Sequence, residues 1–505
     1  MLMTGAQYLE SLRDGRVIHV GSQRVDDVTT HPGFAPSARS FARIWDARRD
    51  PRYRGHLVSE EGGESFAGYY LMPRSREDLE ERSRCSAVIA ELSCGLLGRS
   101  PDFVGGYITG AAMQPDRFAR NGHDFSANVT AYYEHCRRND LYLAHAVAPP
   151  QGTRDPAKFG RDSEAVPTLQ VTGSYAGGVI VNGMKMLATG AAFAHELWIG
   201  NILPLAPEQK AASITCALPV NAPGLSLWSR KPYAAHGEGT FENPLTTHFD
   251  ESDCVVVCEN VKVPWERVFT LDDVAWSRSI YFDTPAHTLS NHQSSVRYRA
   301  KTRLMLALAR RITECMGTDK VPAVRDALNH LSAQDALIAT LINGQIQGYE
   351  TLPGGFTCFD RRAMYASIYW ATQNYDKICS RLRELMGGSV LQMPADIGVL
   401  DAEETARVFE ANWAGNGWSA RERMKLFKLA WDLLGTDFAG RHAQYERFYM
   451  GPAFVVREHV GRETDWDGVL APLDELLASY QAGEEPATIG PAISPSAAAM
   501  STAGS

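Results

Sequence analysis

The sequence predicts an α+β protein with a mainly helical N-terminal domain, a central antiparallel β domain and a C-terminal helical bundle. Three observations carry this. Apolar residues recur at helical spacing up to about residue 138. Short β-branched runs separated by Gly, Asn and Pro then occupy about 150–269, and helical spacing returns after Trp276 and lasts to about Tyr480. The expected units are 1–149, 150–275 and 276–482, followed by a disordered tail, 483–505, rich in Ala, Ser, Pro and Gly. A chain of 505 residues is long enough for two or three such cores.

In order, Thr4 is placed to cap a short helix over 4–13, with Tyr8, Leu9 and Leu12 on one side. A small hairpin pairs 17–20 with 24–25 across Gly21-Ser22. Ser75 with Asp78 three residues on reads as a capping box, and Cys85, Val88, Ile89, Leu92 and Leu96 continue the helix to Gly98, where Pro101 disfavours helix at Ser100. A further helix spans about 126–138. The β region contains strand-like runs at 168–171, 178–182, 212–219, 254–259 and 261–264, with Asn182-Gly183 expected as a tight hairpin turn. The C-terminal region holds a helix through Leu304, Leu306, Leu308 and Ala309, a second over 328–346, a third over 364–386 and a fourth striped by Met424, Phe427, Trp431 and Leu434.

A formal charge of −9 and a pI near 5.9 give no general attraction for nucleic acid or anionic lipid. The basic run at 297–303 reads as a solvated or subunit-facing helix surface. The N-terminus lacks a signal-peptide pattern and no window reaches the roughly twenty apolar residues of a membrane span, so a cytoplasmic location is expected. Nine cysteines without dense spacing read as reduced thiols. Cys254 and Cys258, on one face of a strand, are core residues rather than metal ligands, and no metal site is expected. No Gly-x-Gly-x-x-Gly follows a strand, which argues against a bound nicotinamide dinucleotide.

The stretch 139–154, NDLYLAHAVAPPQGTR, is the expected reacting edge. His145 ends an apolar run, and Pro149-Pro150 forces the chain out of regular structure, so the histidine can face a cavity. Taken alone, such a histidine is more often a hydrogen-bonded core residue than a base.

Several stretches alter that balance: Thr4-Gly-x-x-Tyr-Leu-x-Ser-Leu-x-Asp-Gly-Arg16, Asp27-Val-Thr-Thr-His-Pro32, Gly98-Arg-Ser-Pro-Asp102, Leu141-Tyr-Leu-Ala-His145, Val181-Asn-Gly-x-Lys185 with Ala188-Thr-Gly190, Pro244-Leu-Thr-Thr-His-Phe-Asp-Glu251, Val263-Pro-Trp-Glu266 and Gly440-Arg-His-x-x-Tyr-Glu446. Each is weak alone, and together, in this order, they are specific. The chain resembles the oxygenase component of the two-component flavin-dependent phenol hydroxylases, the family of 4-hydroxyphenylacetate 3-hydroxylase and the chlorophenol monooxygenases, whose fold is acyl-CoA dehydrogenase-like. The likeness runs from Thr4 to about Tyr449.

The resemblance implies a homotetramer that receives FADH2, with reduced FMN as the other candidate flavin, by diffusion from a separate flavin reductase. It implies reaction of that flavin with O2 to a C4a-hydroperoxide and hydroxylation of a phenolic ring, free or tethered to a carrier protein. By the same resemblance Arg99 supplies positive charge, and His145 is the base or hydrogen-bond partner of the phenol oxygen. Thr189 lies near flavin N5, Gln151 and Arg154 hold the flavin ring, and Arg441 closes on it. Gly387 and Gly388 approach flavin from a neighbouring subunit, and His292 is a second candidate base whose plainer reading is a helix-start residue. Phe103 stands where the hydroxyphenylacetate branch has a tyrosine in contact with substrate, so one hydrogen-bond donor is missing. Two rival readings are an acyl-CoA dehydrogenase-like flavoenzyme, with Glu410 as its nearest candidate base, and a non-catalytic scaffold for an aromatic ligand or carrier domain. A 4-hydroxybutyryl-CoA dehydratase is set aside, because Cys85 and Cys94 do not provide its closely spaced pair.

Overall fold

A computed structural model describes residues 2–150, 168–237 and 239–480. The tail expected at 483–505, and Gln151 and Arg154, lie outside the described residues.

The chain opens with α1 (Gly5–Ser11), capped by Thr4 in a full capping box with Gln7. There follow the hairpin β1–β2 (Ile18–Val20, Gln23–Val25), α2 (Ala35–Ala47), α3 (Pro51–Leu57), the hairpin β3–β4 (Val58–Glu61, Glu64–Ala67), α4 (Arg76–Leu92), α5 (Pro101–Ala112), the short pair β5–β6 (Ala119–Arg120, His123–Asp124), α6 (Ser126–Arg138) and β7 (Leu143–Ala146). Ser75 and Asp78 form the expected capping box on α4, and Pro101 opens α5 at its first turn, where its missing N–H costs nothing.

The central region contributes β8 (Gln170–Tyr175), β9 (Gly178–Thr189), β10 (Glu196–Ile199), β11 (Thr215–Pro219), β12 (Leu225–Ser229), α7 (Pro244–Phe249), β13 (Asp253–Pro264) and β14 (Val268–Thr270). They form a six-stranded sheet in the order β2-β1-β12-β13-β9-β8 and a four-stranded sheet in the order β14-β11-β10-β7. Two pairings, β1 with β12 and β7 with β10, are parallel. The segment before residue 150 therefore supplies strands to both central sheets, and β7 carries His145 into one of them.

Asn182-Gly183 does not make the expected turn. Both lie inside β9, opposite Gln170 and Cys258, and the chain reverses between β8 and β9 near Ala176-Gly177. Gly183 has φ +115°, and a Cβ there would meet the Thr168 carbonyl oxygen at 2.6 Å. It marks an irregularity of the ladder where another backbone passes close, the other meaning of a strand glycine.

The C-terminal region comprises α8 (Trp276–Asp283), α9 (Ala286–Met316), α10 (Pro322–Gln347), a small hairpin β15–β16 (Glu350–Leu352, Phe356–Cys358), α11 (Arg361–Met386), α12 (Glu403–Trp413), α13 (Ala420–Leu434), α14 (Asp437–Arg447), α15 (Ala453–Arg462) and α16 (Trp466–Ala478). The axis is α9, which packs against α10 and α11 on one side and against α4 and α5 on the other. Gly110 lets the α5 backbone touch α9, since a Cβ there would lie 2.5 Å from the Ala286 nitrogen.

The basic run on α9 is not a solvated surface. Arg297 and Lys301 are buried, and both pair with Glu446 of α14: Arg297 Nη1 and Nη2 donate at 2.6 and 2.8 Å, and Lys301 Nζ donates to the same carboxylate and contacts His442 Nδ1 at 3.0 Å. Only Arg303 of this run is exposed, with Arg299 half-buried. Burial of cations requires a counter-charge, and Glu446 supplies it from far along the chain. All nine cysteines are free, eight of them buried. No helix among the described residues is long and apolar enough to cross a membrane.

Glu446→Gln would leave two buried cations without their carboxylate, and an expected loss of about 3–5 kcal/mol follows, measurable by urea unfolding at pH 7. The two arginine and lysine charges hold the Glu446 carboxyl down to about 2 from 4.5. Its stabilisation is therefore complete above about pH 4.5 and is lost as pH falls toward 2, so the gap between wild type and variant narrows over that range. An unchanged gap would contradict the assignment.

Candidate functional site

The site is assembled at the N-terminus of α5. The Arg99 amide donates to Glu251 Oε2 at 3.0 Å. Ser100 Oγ donates to Asp102 at 2.5 Å and accepts from Gln293 Nε2 at 2.9 Å, which fixes the turn against α9. The Arg99 guanidinium carbon sits 4.0 Å from the centroid of the Phe103 ring and 4.0 Å from that of Tyr449. Its Nη2 donates to the Tyr449 carbonyl at 3.1 Å, while Nη1 is buried with no partner among the described residues. Two aromatic faces thus hold a cation in place, and one donor is left over.

His145 projects from β7 toward the same place, its ring 5.3 Å from that of Phe103. It is half-buried by surface area yet lies deep enough that burial, and then the Arg99 charge, push its pKa down to about 3. Among the described residues no side chain is hydrogen-bonded to the His145 ring. His287 of α9 lies close enough to feel both Arg99 and His145, and its Nδ1 is 2.9 Å from the Tyr365 hydroxyl.

His292 does have satisfied nitrogens. Nδ1 faces Gln345 Oε1 at 2.8 Å, Nε2 faces Ser83 Oγ at 2.9 Å, and the ring stacks on Phe359 at 3.6 Å. With no free nitrogen it ties α4, α9 and α10 together, and this geometry favours the helix-start role over the catalytic one.

Thr189, at the end of β9, donates its hydroxyl to Asp253 Oδ1 at 2.7 Å, which leaves the oxygen lone pairs as acceptors. Asp253 also accepts from Arg230 and, twice, from Arg441, whose third contact is to Glu251 at 2.7 Å. Arg441, expected to close on the flavin, is held here in a carboxylate clamp. The arginines hold Asp253 far below the usual carboxylate range despite its burial.

Gly387 and Gly388 end α11, both exposed, with nothing within 4 Å of where a Cβ would stand. Along α11, Gly387 is about 33 Å from Tyr365, which touches His287. These glycines thus stand at the opposite end of α11 from the residue that touches His287. Glu410 is exposed on α12 and accepts from the Ala420 amide at 3.0 Å, a capping contact rather than the setting of a catalytic base. Arg99, Phe103 and His145 are therefore brought together, with Thr189 joined to Arg99 through the acidic segment. The sequence had not singled out Tyr449, His287 or Asp253. Asp253 lies two residues beyond a quoted motif, and Tyr449 three residues beyond another.

Two family models cover the chain. The 4-hydroxyphenylacetate 3-hydroxylase N terminal model matches residues 4–270, and the corresponding C terminal model matches residues 277–478. The chain is 31% identical over 455 residues to the 4-hydroxyphenylacetate 3-monooxygenase oxygenase component of Thermus thermophilus, covering 89% of this chain and 92% of that one. It is 28% identical to a Streptomyces globisporus monooxygenase acting on (3S)-3-amino-3-(3-chloro-4-hydroxyphenyl)propanoyl-[peptidyl-carrier protein], over 89% of this chain and 85% of that one. A crystal structure of the oxygenase component of 4-hydroxyphenylacetate 3-monooxygenase complexed with FAD and 4-hydroxyphenylacetate superimposes with a TM-score of 0.86 at 28% identity, covering 92% and 96% of the two chains.

A double-mutant cycle between Arg99→Met and Phe103→Leu is expected to give a coupling of about 0.5–2 kcal/mol by urea unfolding. A coupling of zero would mean that the ring merely fills space.

Proposed function

The chain belongs to the 4-hydroxyphenylacetate 3-hydroxylase family, and we propose that its Arg99–His145 pocket binds the phenol that the enzyme hydroxylates. It is the oxygenase component of a two-component, flavin-dependent aromatic monooxygenase with an acyl-CoA dehydrogenase-like fold, and it uses reduced FAD and O2. A separate component works with it. We assign that component as a flavin reductase delivering FADH2 by diffusion, and the oligomer as a homotetramer in which Gly387 and Gly388 reach a neighbour's flavin.

The observation that carries the pocket's role is the Arg99 guanidinium, clamped between Phe103 and Tyr449 with Nη1 unpartnered among the described residues, within electrostatic reach of a neutral His145. A phenol with a pKa near 10 is mostly protonated at neutral pH, and its phenolate is the electron-rich form that attacks an electrophilic oxygen. Burial and then the Arg99 charge hold the imidazole well below its ordinary range, so it is a poor acceptor of that proton. His145 therefore acts as a hydrogen-bond acceptor that orients the phenol hydroxyl, and Arg99 supplies the charge that stabilises the phenolate.

The chain's residues fit a flavin. Thr189 presents acceptor lone pairs suited to the N–H of a reduced flavin ring, and Gly387 and Gly388 present open backbone. Reduced FAD, when bound, would supply the two electrons by which one oxygen atom of O2 enters the ring and the other leaves as water. The clamp on Arg441 makes it a positioning residue for Thr189 and for the Arg99 turn, acting through Asp253 and Glu251. Relatives with names as different as a free hydroxyphenyl acid and a carrier-bound aromatic leave both substrate kinds open to this family, and Phe103 offers the substrate one hydrogen-bond donor fewer than a tyrosine would.

Mixed with FADH2, O2 and a panel of phenols, the protein is expected to release products one oxygen atom heavier. Flavin oxidation yielding only hydrogen peroxide across the panel would overturn the reading. In His145→Ala, FADH2 oxidation should continue while hydroxylated product per flavin falls at least tenfold; equal loss of both would move His145 to flavin binding or folding. Because His145 is neutral throughout the working range, the acid limb of kcat/KM between pH 5 and 8 should be the same in wild type and His145→Asn.

A further inference from the structure

We infer that Asp102 is a positioning residue for the phenol site: its buried carboxylate is the end point of a hydrogen-bond chain through Ser100, Gln293 and Tyr449 that holds the Arg99 guanidinium in place. The inference rests on the role assigned to Arg99 above and adds the group that keeps it there.

The chain runs from one side chain to the next. The Tyr449 hydroxyl donates to Gln293 Oε1 at 3.5 Å, Gln293 Nε2 donates to Ser100 Oγ at 2.9 Å, and Ser100 Oγ donates to Asp102 Oδ1 at 2.5 Å. Every proton on it points toward the carboxylate. A negative charge at that end therefore favours one orientation of the Gln293 amide and of both hydroxyls. At the other end stands Tyr449, whose ring lies 4.0 Å from the Arg99 guanidinium carbon and whose carbonyl accepts from Arg99 Nη2 at 3.1 Å. Phe103, the second ring on that guanidinium, directly follows Asp102 in the first turn of α5.

Two departures from ordinary local chemistry mark the arrangement. Ser100 is the N-cap of α5, from where a serine oxygen normally accepts an amide of the first turn, yet its side chain makes no capping bond. The hydroxyl is committed to Asp102 and Gln293 instead. Asp102 itself is 2% exposed, and its side-chain hydrogen bonds come from neutral groups, Ser100 and Ser86. Arg82 of α4 acts on it by charge, with its own Nη1 donating to the Tyr69 and Leu71 carbonyls. Burial outweighs all of these and pushes the Asp102 carboxyl up to about 6 from 3.8.

Because the folded value stands above the unfolded one, folding favours the protonated form. That stabilisation is complete below about pH 4 and is lost as pH rises through 6. At pH 7 the ionised Asp102 therefore weakens the fold, at the turn that carries Arg99, which is the mark of a charge kept for function. The titratable groups coupled to it are Arg82 and Cys85 on α4, Tyr142 before β7 and Tyr449 after α14. Burial holds the thiol up at about 12 and both phenols above their ordinary range, while an arginine keeps its charge. Of these groups Asp102 alone changes charge between pH 5 and 8, and it supplies the acid limb that a neutral His145 does not.

The test compares wild type, Asp102→Asn and Ser100→Ala. Asp102→Asn should raise the urea midpoint at pH 7, with the gain vanishing by pH 4. With FADH2, O2 and either 4-methylphenol or 4-hydroxyphenylacetate, hydroxylated product per flavin oxidised should fall at least fivefold in wild type between pH 7.5 and pH 5. Asp102→Asn should sit at least fivefold below wild type at pH 7.5 and show no such fall. Ser100→Ala keeps the charge and breaks the chain, so it should lose product as Asp102→Asn does without gaining stability. An acid fall that persists in Asp102→Asn, wild-type yield in a stabilised Asp102→Asn, or wild-type yield in Ser100→Ala would each overturn the inference. Hydrogen exchange of the 98–106 segment, corrected for intrinsic rates, needs no substrate: it should be faster at pH 5 than at pH 7.5 in wild type and equal at the two in Asp102→Asn. Equal protection at both pH values in wild type would also overturn it. A protein that shows the exchange pattern but hydroxylates neither phenol would leave Asp102 as the group that positions Arg99 and sink the proposed activity instead.

Discussion

The acidic turn Asp250-Glu251-Ser252-Asp253 is the fixed point of the molecule. Glu251 takes the Arg99 amide and one Arg441 nitrogen; Asp253 takes Thr189, Arg230 and two further Arg441 nitrogens; Asp250 takes Arg230 and the Tyr233 amide. Three carboxylates in so small a volume would repel one another in water. Here two guanidiniums and several backbone or hydroxyl donors satisfy them, which is the condition under which buried charge is tolerated. The partners come from the start of α5, the end of β9, the end of β12 and α14, so this turn fixes those four elements relative to one another. The Glu446 cluster repeats the principle one turn further along α14, anchoring that helix to α9.

Local signals survived translation into structure best. Capping boxes at Thr4 and Ser75, the proline that opens α5 and the long amphipathic helices depend on neighbours within a few residues, so the sequence contains everything that decides them. Asn182-Gly183 has the composition of a turn and sits inside a strand, because the decisive neighbour is the Thr168 carbonyl that passes close to Gly183. The same applies to Arg297 and Lys301: a basic run reads as surface until Glu446, 149 and 145 residues away, is seen to neutralise it.

The site divides along the same line. Arg99, His145 and Phe103 were found through their motifs, and the structure gathers them. Tyr449 was not, since it acts through its backbone carbonyl and ring face, and neither leaves a mark in sequence pattern. His292, proposed from its place near the start of a long helix, and Arg441, proposed from a motif, have nitrogens committed to Ser83, Gln345, Glu251 and Asp253. Motif membership identified residues that matter, while only geometry separated those that face the cavity from those that hold others in place.

The cysteines acquire a meaning beyond packing. Every one of the nine has its thiol pushed up, by burial before any other cause. Oxidants attack the thiolate, and the ladder from sulfenic to sulfonic acid begins there. A protein that consumes reduced flavin and O2 works amid the peroxide that any wasted turnover releases. By burying eight of its nine thiols and holding all nine toward the protonated form, this chain offers that by-product few thiolates to attack, so wasted turnover costs its cysteines little.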